Sequence, residues 1–182
     1  MHPRIEEALQ YLDTERAELR AVVELVPPEK REQPPGPDRW SVAQVLQHLT
    51  LIENRVGRLV NKRIAGARAE GLGPELETGP ILNTRHAAKI ADRSFPVSAP
   101  EEVRPPSDTD AASAWAALEK SRQALRDAML SGDGLALSQV MHTHAVLGEI
   151  NLYQWIHFVG SHEVRHIAQV REIADQLAAD ST

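Results

Sequence analysis

Four long stretches of this chain carry apolar residues at the three- and four-residue spacing of helices that bury one face. Polar segments rich in proline and glycine separate them. Runs of alternating apolar and polar residues are missing, so we expect no strands. The predicted helices span residues 3–26, 41 to an end within 66–73, 108 or 110 to 130, and 151 to about 178.

Residues at the ends of these stretches support their limits. Pro27 and Pro28 end the first, since proline breaks a helix. Ser41 and Gln44 have the spacing of a capping box, in which each residue bonds the backbone of the other. Asn151 is a good cap for the last helix. The pattern therefore predicts four helices with marked ends.

The second and third helices are joined by a long connection, residues 66–107, in which proline, glycine and charge dominate. A short helix is expected within residues 81–93. A connection of this length allows helices two and three of a four-helix bundle to lie parallel. We therefore expect an all-α fold, a single four-helix domain over residues 1–182 with a long crossover between helices 2 and 3.

Composition excludes several classes of function. The formal net charge is −6 and the basic residues are not clustered, which argues against nucleic acid as a partner. There is no cysteine, so a disulfide, a cysteine-ligated zinc and a cysteine nucleophile are excluded. Neither an apolar leader core nor a run of about 18 apolar residues is present. We expect a cytoplasmic protein that does not enter membranes.

The most informative stretch is His162-Glu163-Val164-Arg165-His166 in the last helix. Histidines four positions apart are about 40° apart around a helix, so both imidazoles face one side, and here it is the apolar side. His48 lies in the inward half of the second helix. Three neutral imidazoles with an open position suit Zn²⁺, Ni²⁺, Fe²⁺ or Mn²⁺. The pattern predicts a metal site formed by His48, His162 and His166.

The same letters form the H-E-x-x-H string of zinc hydrolases. A thermolysin-like enzyme takes its third ligand about 20 residues later, whereas 16 residues follow His166. In metzincins a glycine and a further ligand follow, and those positions hold Gln169 and Glu172. These mismatches, and the lack of a strand to hold a peptide, make the hydrolase the least favoured interpretation.

Other polar residues near these histidines have two interpretations each. Glu163 faces inward, either to orient an imidazole or act as a base, or to pair with an arginine of another helix. Gln169 either hydrogen-bonds toward the site or lies at the bundle edge. His144 either lines the pocket mouth or belongs to a solvated loop. His86 and His142 are expected in solvent, and His157 is expected to point away from the core.

Three segments together resemble the DinB-like superfamily of bacterial four-helix metalloproteins. The first is Trp40-Ser41 followed by Val45-Leu46-x-His48-Leu49, and the second runs from His144 through Gly148-Glu149-Ile150-Asn151 to Ile156. The third is His162-Glu163-x-x-His166-x-x-Gln169. The resemblance includes residues 95–106 and covers nearly the whole chain. It implies the crossover bundle, with His48, His162 and His166 as metal ligands.

The resemblance also implies a class of activity. Characterised relatives include S-transferases that use thiols such as bacillithiol or mycothiol, and a thiol-dependent maleylpyruvate isomerase. In such a mechanism the metal binds the low-molecular-weight thiol and lowers its pKa. Two hypotheses follow for this chain: a metal-dependent thiol transferase acting on a small electrophile, or a non-catalytic metal-binding bundle, such as a homodimer, that serves dimerisation or ligand sequestration.

Overall fold

The computed structural model describes residues 1–94 and 98–179, apart from the side chain of Thr84. The chain is all-α apart from one small hairpin. The helices are α1 (Pro3–Glu24), α2 (Val42–Ala69), α3 (Thr84–Ala91), α4 (Ala111–Ser131) and α5 (Leu152–Ala179). The strands are β1 (Met141–His144) and β2 (Gly148–Asn151). Short 3₁₀ turns lie at Pro28–Lys30, Glu101–Val103 and Leu137–Gln139.

Side chains cap the starts of α2, α4 and α5, and those of α2 and α5 are the ones expected from the sequence. Ser41 and Gln44 form the capping box of α2, with both reciprocal hydrogen bonds present. Asp110 caps α4 by accepting from the Ser113 amide. Asn151 and Gln154 exchange the same pair of bonds at the start of α5. Local chemistry therefore determines where these helices begin.

Two buried clusters reveal the direction of each long helix. The first contains residues from 5–12, 56–64, 125–129 and 152–159. The second contains residues from 19–26, 42–49, 114–118 and 167–177. The first therefore holds the starts of α1 and α5 with the ends of α2 and α4, and the second holds the opposite ends. Helices α1 and α5 run one way and α2 and α4 the other, so the predicted parallel pair is confirmed.

The crossover between α2 and α4 covers one side of this bundle. Its helix α3 packs against α5, and Ile90 of α3 is buried. Beyond α3, Arg93 donates two hydrogen bonds to Glu172 of α5. The 3₁₀ turn Glu101–Val103 then reaches α2. The crossover thus lies beside the two helices that carry the predicted ligands.

Helix α2 ends at Ala69, within the segment 66–73 that was expected to end it; it passes Gly66 because Ala67 is still buried and an isolated glycine costs only about 1 kcal/mol in a helix. One expectation about the elements was wrong. Residues 141–151, expected to be irregular, form the antiparallel hairpin of β1 and β2, with His144 opposite Gly148. Gly148 has φ +76°, a backbone conformation that favours glycine at such a turn.

Two predictions extend to residues outside the described ranges. The part of the family resemblance that covers residues 95–97 lies outside the described residues, and so do residues 180–182 of the predicted single domain. Over the described ranges, every helix falls short of the apolar length that crossing a membrane requires.

Candidate metal centre

His48 is placed by the start of α2. The capping box fixes the first turn, and His48 follows in the second turn, where only 4% of the residue is exposed. Its Nδ1 lies 2.7 Å from the carbonyl oxygen of Val103. A carbonyl oxygen only accepts, so Nδ1 carries the proton and donates. The lone pair of His48 is therefore on Nε2, which points toward α5.

His162 and His166 project from successive turns of α5, as their spacing predicts. The Nδ1 atom of His166 donates a hydrogen bond to Oε1 of Gln169, at 2.8 Å. Gln169 thus contacts the site, the first of its two interpretations. The Nε2 atom of His166, like that of His48, is left with a lone pair. His166 is buried, whereas His162 is partly exposed to solvent.

The three Nε2 atoms converge. That of His162 lies 3.4 Å from Nε2 of His48 and 3.2 Å from Nε2 of His166. One ligand atom from each residue lies within 4.8 Å of the other two. A proton on His162 can satisfy only one of the two lone pairs that face it. The arrangement is therefore compatible with a cation at the point where the rings meet.

The spacing fits a divalent transition-metal ion. Zinc-to-imidazole distances of about 2.0–2.1 Å in tetrahedral geometry separate the nitrogens by about 3.3–3.4 Å. The donors are neutral imidazoles, and two of them have their second nitrogen held by an acceptor, the usual support for a metal-bound histidine. These residues are suited to hold such an ion, and the donor set does not select one metal.

The electrostatics favour the neutral form of all three rings. Burial lowers the pKa of His48, partly opposed by its bond to Val103. Burial and the neighbouring His48 lower the pKa of His162 to about 3. Burial and His162 also move the pKa of His166 well below its ordinary value. At neutral pH the triad presents lone pairs rather than charges, as metal ligands must.

Glu163 does not turn toward the triad. Its Oε1 accepts from Arg16 Nε at 2.6 Å, and its Oε2 accepts from Arg122 Nη2 at 2.6 Å. Both oxygens are thus engaged by arginines of other helices, which is the second interpretation of this residue. Its contacts favour neither a base nor a fourth ligand. Within residues 1–94 and 98–179, the only cluster with metal-ligand spacing is the three histidines.

Aromatic rings surround the triad. The Trp40 ring lies 4.9 Å from the His48 ring, and the Phe158 ring lies 5.5 Å from that of His162. Phe158 also packs on His144, with centroids 4.4 Å apart. The centre therefore has a largely apolar rim. Neither Phe158 nor the Val103 carbonyl was expected there; the one is an ordinary apolar position and the other a backbone group in an irregular segment.

Three other histidines are less exposed than expected. His144 is buried, and its Nδ1 accepts from the amides of Val146 and Leu147, so it is not in a solvated loop. His142 is half-buried with Nδ1 2.6 Å from an Arg63 nitrogen. His86 is also half-buried. These rings belong to the hairpin and to α3. Both elements pack against α5, which the sequence did not predict.

His157 is the clearest correction. Expected to point away, it is 5% exposed and stacks on Tyr11 of α1, with ring centroids 4.8 Å apart. The sequence pattern of α5 indicates a single apolar face, and His157 lies away from that face. In the structure α5 packs against α1, α2 and α3, so its buried surface is wider than that face.

Comparison with known proteins agrees with this architecture. Residues 11–170 match the family described as the DinB superfamily. The chain is also 29% identical over 150 residues to Uncharacterized protein YuaE of Bacillus subtilis, across 82% of this chain and 86% of that protein. No solved structure matches. The family match covers most of the chain, including His48, His162 and His166, and the chain therefore belongs to the DinB superfamily.

Proposed function

We propose that this chain holds one divalent transition-metal ion through His48, His162 and His166, and that it is a thiol S-transferase acting on small electrophiles. The observation that carries the proposal is the convergence of three Nε2 atoms at 3.2 and 3.4 Å. Membership of the DinB superfamily supports the metal site. The thiol chemistry is inferred from the family resemblance and from a donor set of three protein ligands.

A catalytic role is favoured over a purely structural metal by the number of ligands. Structural zinc sites have four protein ligands, whereas catalytic sites have three and an open position. Glu163, the nearest carboxylate in sequence, is bound to Arg16 and Arg122. The described residues add no fourth ligand to the triad. His162 is the member of the triad that keeps some exposure to solvent.

The residues around the triad supply orientation and an apolar surround. The Val103 carbonyl and Gln169 hold two imidazoles with Nε2 forward. Trp40 and Phe158 flank the centre with apolar rings that limit water. When bound, a divalent metal supplies Lewis acidity that lowers the pKa of a coordinated thiol or water.

The nucleophile of the proposed transfer comes from a cosubstrate. The chain contains no cysteine, so it has no thiol of its own to donate. In the reaction a small thiol loses its proton to solvent, and its sulfur forms a bond to an electrophilic carbon. The leaving group departs with the electron pair of the broken bond. The products are a thioether and the released leaving group.

Elemental analysis of protein without a histidine tag tests the metal site. We expect about one transition-metal ion per chain, lost in His48→Ala and His166→Ala. His142→Ala is the matched control, since His142 bonds Arg63 outside the triad, and this variant should keep the metal. Absence of metal from the wild type, even after reconstitution with Zn²⁺ or Ni²⁺, would refute the proposal.

Thiol consumption tests the reaction. The loaded protein is mixed with 1-chloro-2,4-dinitrobenzene and, one at a time, bacillithiol, mycothiol, coenzyme A or cysteine. We expect thioether formation that depends on the metal and disappears in His166→Ala. A fully loaded protein that accelerates none of these reactions and does not bind the thiols would favour the non-catalytic bundle instead.

A further inference from the structure

Each of the four long helices places one charged side chain at the same level of the bundle. Their charged groups are at most 9% exposed and sum to zero. We refer to these four residues as the ionic layer: Arg16 of α1, Glu53 of α2, Arg122 of α4 and Glu163 of α5. In each helix the layer residue lies between the segments that form the two core clusters.

Hydrogen bonds connect the ionic layer into a closed ring. Glu163 accepts from both arginines, at 2.6 Å each. Glu53 accepts from Arg122 Nε at 2.5 Å, from Arg16 Nη2 at 3.4 Å and from Ser121 Oγ at 2.6 Å. The Arg122 Nη1 atom donates to the Leu12 carbonyl at 2.6 Å. Every charge therefore contacts both charges of opposite sign.

The ionic layer includes both helices that bear the ligands. Glu163 follows His162 directly and lies within the same turn of α5 as His166. Glu53 lies five residues after His48 in α2, about 7.5 Å along the axis. Glu163 thus lies within one turn of His162 and His166, and Glu53 lies about one and a half turns from His48.

Stability alone does not account for this arrangement. Removing four charges from water is costly, and well-packed apolar residues of similar size are often as stable or more stable than a buried ion network. The apolar clusters above and below already hold the helices together, but apolar contacts are not directional. Two arginines that grip one carboxylate fix both the rotation and the height of a helix.

We propose that the ionic layer is a positioning device for the metal centre: Arg16 and Arg122 lock Glu53 and Glu163, and thereby set α2 and α5 so that the three Nε2 atoms meet. This rests on the metal binding proposed above. A metal site requires its ligands within about 0.5 Å of their working positions. Rotation or sliding of α5 against α2 moves His162 and His166 away from His48.

The test compares two acidic residues that contact Arg16. Glu53→Gln weakens the ionic layer at the acidic member that is not next to a ligand in sequence. Glu119→Gln is the matched control, because Glu119 is 44% exposed and contacts Arg16 at 3.3 Å from outside the layer. Metal affinity is measured by competition with a chromophoric chelator, and site geometry by the visible spectrum of bound Co²⁺.

We expect Glu53→Gln to bind metal about 10–100-fold more weakly and to alter the Co²⁺ spectrum, as loss of supporting contacts does in other metal sites. Glu119→Gln should stay within about twofold of the wild type. A purely structural layer would lower the free energy of unfolding of Glu53→Gln while leaving its affinity and spectrum unchanged, and that result would overturn the inference.

A second variant separates positioning from folding. Replacing the whole layer (Arg16→Met, Glu53→Leu, Arg122→Met and Glu163→Leu) should give a folded protein with weakened metal binding. If this variant binds as tightly as the wild type, or if neither it nor Glu53→Gln folds, the inference is wrong. A wild type without metal refutes the proposed function and the inference together, whereas a loaded wild type matched by both variants refutes only the inference.

Discussion

The buried His157 side chain makes stability depend on pH. Its ring is stacked on Tyr11, and neither ring nitrogen has a hydrogen-bond partner in the described part of the chain. Burial lowers its pKa from about 6.5 to about 4, partly opposed by the charge of Glu7. The folded protein therefore resists protonation of this ring, whereas the unfolded chain accepts the proton readily.

The sign and size of the effect follow from this difference. Between pH 6.5 and 4 the unfolded state binds more protons at His157 than the folded state does, so stability falls as pH falls. The contribution is complete above pH 6.5 and gone below about pH 4. At 1.36 kcal/mol per pKa unit, lowering the pH from 7.5 to 4.5 costs roughly 2–3 kcal/mol.

His157→Phe removes the titrating group and keeps a ring against Tyr11. Urea unfolding is measured for both proteins with the metal chelated, at intervals from pH 7.5 to pH 4.5. The lowered pKa values of the triad and of His144 also make the free energy of unfolding fall with pH. This effect is the same in both proteins, so the difference between them isolates His157.

We expect the free energy of unfolding of His157→Phe to gain roughly 2–3 kcal/mol on that of the wild type as the pH falls to 4.5. His157→Gln, which is polar but does not titrate, should show the same gain in free energy of unfolding relative to the wild type, although it should be less stable than His157→Phe at pH 7.5. A difference between wild type and His157→Phe that stays constant across this range would refute the reasoning.

Three further predictions concern packing, capping and metal. Gly160→Ala places a methyl group 2.3 Å from the Tyr11 ring and should destabilise by about 1–3 kcal/mol in urea unfolding, but should stabilise in a Tyr11→Ala background, where only helix propensity remains. Ser41→Ala removes the α2 cap and should lower the free energy of unfolding by about 1 kcal/mol, measured as a lower urea midpoint with an unchanged slope. Chelation should lower the Tm of the loaded wild type but not that of His166→Ala, and equal shifts in both would contradict the site.

The helices and the histidine triad could be predicted because their determinants are local. Ser41 and Asn151 cap helices through residues three positions away, and these bonds depend on short-range sequence. The pairing of His162 with His166 follows from the helical repeat alone. His48 is on a different helix, so its place in the site depends on how α2 packs against α5. Its apolar neighbours in α2 indicate that it faces inward.

The contacts of the crossover could not be predicted in this way. His48 donates its hydrogen bond to the Val103 carbonyl, 55 residues away in an irregular segment. Because every residue has a carbonyl, the sequence does not mark this one as the acceptor. His86 and His144 are shielded from solvent because α3 and the hairpin, which carry them, pack on α5. Such contacts are set by the path of the chain between elements, on which hydrophobic periodicity carries no information.

The ionic layer lies between these two cases. A charged residue interrupts each apolar stripe three or four residues from buried leucines or valines, as Arg16 does between Leu12 and Leu19. A charge in that position is expensive unless it is paired, so two arginines and two glutamates on four inward faces imply a neutral buried set. Which arginine meets which carboxylate depends on the order and direction of the helices. This pattern is a sequence signal by which a buried polar layer can be found, although only Glu163 of its members was singled out from the sequence. The parallel course of α2 and α4 brings the members to one level.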